Sequence, residues 1–155
     1  MSGTPLLLVA ESAQAKMFAA AIAALPNETG GILLGVSRDG QPWVTEAVEI
    51  VTKERGRHHY KIPAGVTQPT VLAAREADYR LGYLGDWHSH PADVGPSATD
   101  LATLAMFSVK HPKTPNPNLV VVRAATSGLR LDVRRIMGIS PRQCEVRLTG
   151  NLGSE

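Results

Sequence analysis

Apolar and polar positions divide the chain into short blocks of changing period. Leu6–Val9 is a compact apolar run, which predicts a buried strand. From Glu11 to Leu25, Phe18, Ile22 and Leu25 recur at helical spacing beside Met17 and Ala21. This predicts a core-facing helix, with Ser12 as a candidate N-cap and Pro26-Asn27 as the stop. Glu28–Gly35 is an apolar run bounded by glycines and reads as a central strand. Arg38-Asp39-Gly40-Gln41 has hairpin-turn chemistry, and Trp43–Val51 alternates as a partnered strand should.

The second half repeats the mixture. Thr52–Gly65 shows no period and is expected to be a long loop. Thr67–Arg80 reads as a helix, with Thr67 as cap, Pro69 in the first turn and a Glu76–Arg80 pair. Gly82–His88 is a strand. Ser97–Lys110 is a third helix, burying Leu101, Leu104, Ala105 and Val109. Leu119–Val122 and Leu129–Ile136 are two further strands. This order predicts one α/β domain, with a mixed sheet packed against about three helices; the two expected hairpins argue against an all-parallel arrangement.

Composition narrows the class without naming a chemistry. The chain has 155 residues, 43% apolar and 19% charged. A domain of that size buries roughly 70% of its unfolded surface. Sixteen basic and fourteen acidic residues leave a net charge of +2, scattered rather than patched, which gives little support for a nucleic-acid partner. The basic segment Lys53–Lys61 is expected to be a solvated loop. Cys144 is the single cysteine, so no intrachain disulfide and no four-cysteine zinc site can form, and an ordinary thiol is expected. There is no basic n-region before Leu6 and no apolar run of membrane-spanning length, so a cytoplasmic setting without a membrane partner is expected.

The chemistry-bearing stretch is Trp87-His88-Ser89-His90-Pro91, followed after a Pro/Gly loop by Ser97-Ala98-Thr99-Asp100. Residues i and i+2 of a strand share a face, so His88 and His90 can aim at one point while Trp87 and Ser89 point away. Two histidines, a carboxylate and an open fourth position is the inventory of a catalytic zinc site. A plainer reading stands beside it: strand histidines also serve as hydrogen-bonded core residues. Likewise Ser97 and Asp100 fit a helix capping box as well as a ligand position, and the two roles are compatible. Glu28 is either an unremarkable strand-edge residue or the base that a zinc-activated water requires. His58-His59-Tyr60 is a second histidine cluster, better suited to a surface loop or substrate groove than to a second metal.

Taken together, Glu28-Thr29-Gly30-Gly31-Ile32-Leu33-Leu34-Gly35, His88-Ser89-His90-Pro91 and Ser97-Ala98-Thr99-Asp100 resemble the JAMM motif of the JAB/MPN metalloprotease family. The resemblance is to the compact prokaryotic branch. Nine residues separate His90 from Asp100, one fewer than in eukaryotic members that cleave ubiquitin. The segments where those members carry ubiquitin-holding insertions, Thr52–Gly65 and Ser108–Asn118, are short here. The resemblance implies a JAB/MPN-like domain over residues 1–138, with 139–155 a partly disordered C-terminal extension. It implies one Zn²⁺ per chain on His88, His90 and Asp100, with Glu28 as base and Ser97 as oxyanion donor. The implied activity is isopeptidase or peptidase action on the C-terminal tail of a ubiquitin-like modifier or its conjugate, with Gly30 and Gly31 giving the tail room. The Leu-Gly-Asp-Trp-His-Ser-His-Pro context resembles bacterial members that accompany ubiquitin-activating-like and ubiquitin-conjugating-like enzymes, some in antiphage operons. Two alternatives are a peptidase exposing the Gly-Gly end of a sulfur-carrier protein and a non-catalytic MPN-type scaffold.

Overall fold

The computed structural model describes residues 3–114 and 116–153. Its strands are β1 (Leu6–Ala10), β2 (Gly30–Arg38), β3 (Gln41–Glu49), β4 (Arg55–Gly56), β5 (His59–Tyr60), β6 (Gly82–His90), β7 (Asn118–Ala125), β8 (Gly128–Met137) and β9 (Ser140–Thr149). The helices are α1 (Glu11–Ala24), α2 (Thr67–Ala77) and α3 (Ala98–Lys110). Seven strands close into a barrel in the order β1-β3-β2-β6-β7-β8-β9, with β9 returning to β1. The pairs β1–β3, β6–β7 and β9–β1 are parallel and the others antiparallel. The expected mixed α/β sheet with three helices is therefore present. The Asp39-Gly40 turn joins β2 to β3 with both residues at positive φ, as a two-residue hairpin requires.

Alternation along the central strands sorts side chains to two faces. Leu33 of β2, Trp87 of β6 and Val120 and Val122 of β7 join Leu7, Val9 and Val44 against Ala13, Met17 and Ala21 of α1. On the opposite face Leu119 and Val121 meet Leu104 of α3, while Ile32 and Leu34 meet the α2 side through Val71 and Ala74. Both faces are covered, which is why β2 and β7 read as continuous apolar runs.

Several expectations are corrected. α1 buries Ala13, Met17 and Ala21, whereas Ile22 and Leu25 are largely exposed. Small alanines let the helix lie close to β3, so the buried stripe follows the small residues rather than the large ones. Ser12 does not cap α1; its hydroxyl donates to Asn151. α2 stops at Ala77, and Arg80 engages Asp78 in place of Glu76. The loop from Thr52 contains the small β4–β5 hairpin. The largest revision concerns the C-terminal extension. Residues 140–149 form β9, which supplies the barrel's closing seam through β8 and β1. The disorder expected for the rest of the extension falls partly on 154–155, outside the described residues.

The glycines of β2 also change meaning. A Cβ at Gly31 would collide with the Val48 carbonyl across the β2–β3 ladder, and one at Gly30 would meet the Trp87 carbonyl and the Tyr60 ring. That space is filled by the protein's own backbone, so the glycines serve packing and not the approach of a substrate tail. Gly31→Ala is expected to lose about 3 kcal/mol or more of stability, as overpacking against backbone does. A lowered urea midpoint at unchanged slope would show it.

Candidate metal centre

The β6 pleat places Asp86, His88 and His90 on one face and sends Trp87 and Ser89 to the other. Trp87 is 1% exposed in the α1-facing core, with its indole N–H on the Val48 carbonyl. Ser89 is buried and accepts from the Thr29 amide at 3.0 Å, while its own amide donates to the Thr29 carbonyl at 2.8 Å. These bonds tie the segment before β2 to β6. Glu28 is thereby held over the histidines, with its amide on the Gly56 carbonyl of the small hairpin.

Glu28, His88 and His90 form a group able to hold a metal ion, their ligand atoms lying within 4.8 Å of one another. Asp100 completes the cluster from the first turn of α3. The Nε2 atoms of His88 and His90 are 3.1 Å apart, and Asp100 Oδ2 lies 3.4 Å from the first and 3.6 Å from the second. Ligand bonds of about 2.0–2.1 Å in a tetrahedral site imply edges of about 3.3–3.4 Å. The edges of the His88–His90–Asp100 triangle, 3.1, 3.4 and 3.6 Å, bracket that length. Glu28 Oε2 stands further off, 3.9 Å from His90 Nε2, beside the triangle.

Neighbouring groups give the donors the states that metal binding needs. His90 Nδ1 donates to the Val94 carbonyl at 3.0 Å, leaving the Nε2 lone pair for the cluster. Burial holds the His90 pKa low, so its imidazole is neutral at pH 7. Asp100 Oδ2 accepts from the Ser97 amide at 2.8 Å, and Ser97 Oγ accepts from the Asp100 amide at 3.0 Å. This is a complete capping box, so the two readings of Ser97-x-x-Asp100 both apply. Burial is the largest single influence on Asp100 and opposes its charge. The His88 hydrogen bond and charge, with the Ser97 donors, outweigh it and keep the carboxyl below the usual range. Glu28 goes the other way. Burial raises it to about 7, with Asp100 adding to the rise and His88 and His59 opposing it. The donor set, two imidazoles and a carboxylate, suits zinc.

The loop between His90 and α3 is fastened from β7. Arg123 faces His90 in the β6–β7 register. Its guanidinium donates to Asp93 Oδ1 at 3.1 Å, to the Asp93 carbonyl at 3.1 Å and to buried Asp132 at 2.8 Å. Asp93 precedes Val94, the acceptor for His90. Sequence reasoning missed Arg123, Asp93 and Asp132, because only strand register brings them together.

Around the cluster lies a cleft of about 1280 Å³. One wall carries His58, His59 and Tyr60 from the small hairpin, and the other carries Ser97, Leu104 and Phe107 from α3. His58 and His59 therefore flank the cleft and do not join the metal group.

A family model described as prokaryotic homologs of the JAB domain matches residues 10–130. The chain belongs to this prokaryotic JAB family. That family includes metalloproteases, and a chain with this histidine–carboxylate cluster fits the type. Protein DSY2949 from Desulfitobacterium hafniense, solved in solution, has a similar fold: TM-score 0.69 over 94% of each chain at 21% identity. No curated protein sequence matches. Among the described residues, no helix is long and apolar enough to cross a membrane.

Proposed function

We propose that this JAB protein is a zinc-dependent isopeptidase or peptidase that cuts at the C-terminal tail of a ubiquitin-like modifier. The observation that carries the reading is the His88–His90–Asp100 triangle of near-tetrahedral dimensions with Glu28 standing beside it. His88, His90 and Asp100 would hold the zinc, which when bound supplies Lewis acidity to a scissile carbonyl and to water.

The chain's own groups then do the proton work. Glu28 lies at the metal position without occupying the ligand triangle, so its carboxylate is placed to take a proton from water and return it to the departing amine. Burial raises its basicity toward that task, and a bound dication would offset part of the rise. Ser97 Oγ accepts the Asp100 amide, and its hydroxyl, which rests on the Asp100 carboxylate, would turn to donate to the oxygen that gains charge. The cleft is lined by the β4–β5 hairpin and α3, and its volume of about 1280 Å³ leaves room for an extended tail ending in small residues. Ubiquitin-activating-like and ubiquitin-conjugating-like enzymes are the partners named by this proposal.

A cleavage panel tests the reading. Zinc-loaded protein would meet ubiquitin-like fusions joined through lysine or through a linear peptide, with and without a chelator. Chelator-sensitive cutting after Gly-Gly is expected; no cutting of any fusion by zinc-loaded protein would defeat the proposal. Preference for linear extensions would favour processing of a sulfur-carrier protein. Within the same assay, Ser97→Ala is expected to reduce kcat by about 10²–10³, the usual loss for one oxyanion donor. It also removes the α3 cap, a stability loss of about 1 kcal/mol. Ser97→Gly loses the same donor but only a few tenths of a kcal/mol of cap stability, so equal kcat losses would assign the effect to the hydroxyl.

A further inference from the structure

Asp86 shares the β6 face of His88 and His90 and lines the same cleft, yet the metal cluster does not use it. Its Oδ1 accepts the Tyr83 hydroxyl at 2.6 Å. Among the described residues that is its only hydrogen-bond donor, and no lysine or arginine pairs with it. The surroundings are apolar. Tyr83 and Phe107 pack with ring centroids 5.7 Å apart, Leu104 lines the same cleft, and Leu119 is the β7 partner of Asp86. His88, turned to the metal cluster, is the basic group whose charge reaches Asp86. A carboxylate with one hydroxyl donor in an otherwise apolar pocket is destabilising, and chains keep such groups where a ligand completes them. A second metal is a poor fit, because the neighbouring imidazole, His88, is already turned to His90 and Asp100, and the other groups offer one hydroxyl.

We propose that Asp86 forms the floor of a subsite for a positively charged substrate side chain, lysine or arginine, next to the scissile bond. The proposal rests on the peptidase reading of the metal centre. Asp86 precedes His88 by two strand residues, about 6.6 Å, a distance that the four-carbon stem of lysine can span. Leu104, Phe107 and the Tyr83 ring would cover the stem, and the ammonium would reach the carboxylate. Asp86 would thus select substrates without touching the reacting atoms.

Two pentapeptides separate the cases, one Ala-Gly-Gly-Lys-Ala and the other with norleucine for lysine. Binding to zinc-loaded full-length Glu28→Gln protein, followed by NMR titration, should favour the lysine peptide by about tenfold, a gain typical of one charge-assisted contact. Adding Asp86→Asn should remove the preference while leaving norleucine affinity unchanged, and Asp86→Glu should retain part of it. The Asp86→Asn melting temperature should hold, because the amide oxygen can still accept the Tyr83 hydroxyl. Equal affinities, no binding of either peptide, or a preference that survives Asp86→Asn would overturn the proposal. Should Asp86→Asn fail to fold, Phe107→Lys offers a competing internal cation. It is expected to abolish the preference, and a preference unchanged by it would count against the subsite. Cleavage by protein with Glu28 intact is the second readout. Preferential binding without hydrolysis would leave the subsite standing and defeat the peptidase reading instead.

Discussion

His88→Ala protein is expected to fold and to carry no zinc. Three donors define the triangle, and removing His88 leaves His90 and Asp100 as a two-ligand remnant. The loss should exceed the 10–100-fold typical of mutations behind the ligands, so stoichiometric metal would fall below detection after dialysis. Stability supplies an independent check. A ligand at about 1,000 times its Kd stabilises the native state by roughly 4 kcal/mol. Wild-type protein should therefore show a clear zinc-dependent rise in melting temperature, and His88→Ala none. In metal-free buffer the two should melt alike, since His88 is not part of the apolar clusters that hold the barrel. Asp100→Ala should also lose the metal. If Asp100→Ala kept zinc and Glu28→Ala lost it, the ligand set would be Glu28, His88 and His90, and the assignment made from the triangle would be wrong.

Glu28→Ala is expected to show the opposite pattern: zinc retained, cleavage reduced by about 10²–10⁴, the range for a general base. The separation of Glu28 from the triangle carries this expectation, because a side chain 3.9 Å from His90 Nε2 can leave without opening the three-donor set. Melting temperature should change little or rise, as an acidic group 7% exposed is removed. Metal content and turnover measured on the same preparation would test both halves. Wild-type-like cleavage by zinc-loaded Glu28→Ala would exclude Glu28 as base.

The motif positions were legible because their placement depends on local rules. Strand alternation sets His88 and His90 on one face, and a capping pattern sets Asp100 on the first turn of α3. What escaped sequence reading depends on partners distant in the chain. β9, with Cys144, Val146 and Leu148 among polar residues, has too weak an apolar pattern to announce a strand until β8 and β1 flank it. The alanine-rich α1 has so little contrast between faces that its buried stripe cannot be read from residue size. Asp86 drew no separate reading from the sequence, and only the packing of Tyr83 and Phe107 in the same cleft sets it apart. Arg123 became visible once β6–β7 register set it opposite His90.

The parallel seam between β1 and β9 has a consequence for synthesis. Leu6 must wait for Glu145 before the barrel can close, so β1 is made well before its last partner strand and is among the last strands to be fully paired. Every residue of the metal cluster precedes that point, on β2, β6 and α3 or their borders. A ribosome-bound chain can therefore gather His88, His90 and Asp100 while one edge of β1 is still open. Closure by β9 then ends the interval in which that edge could pair with another chain.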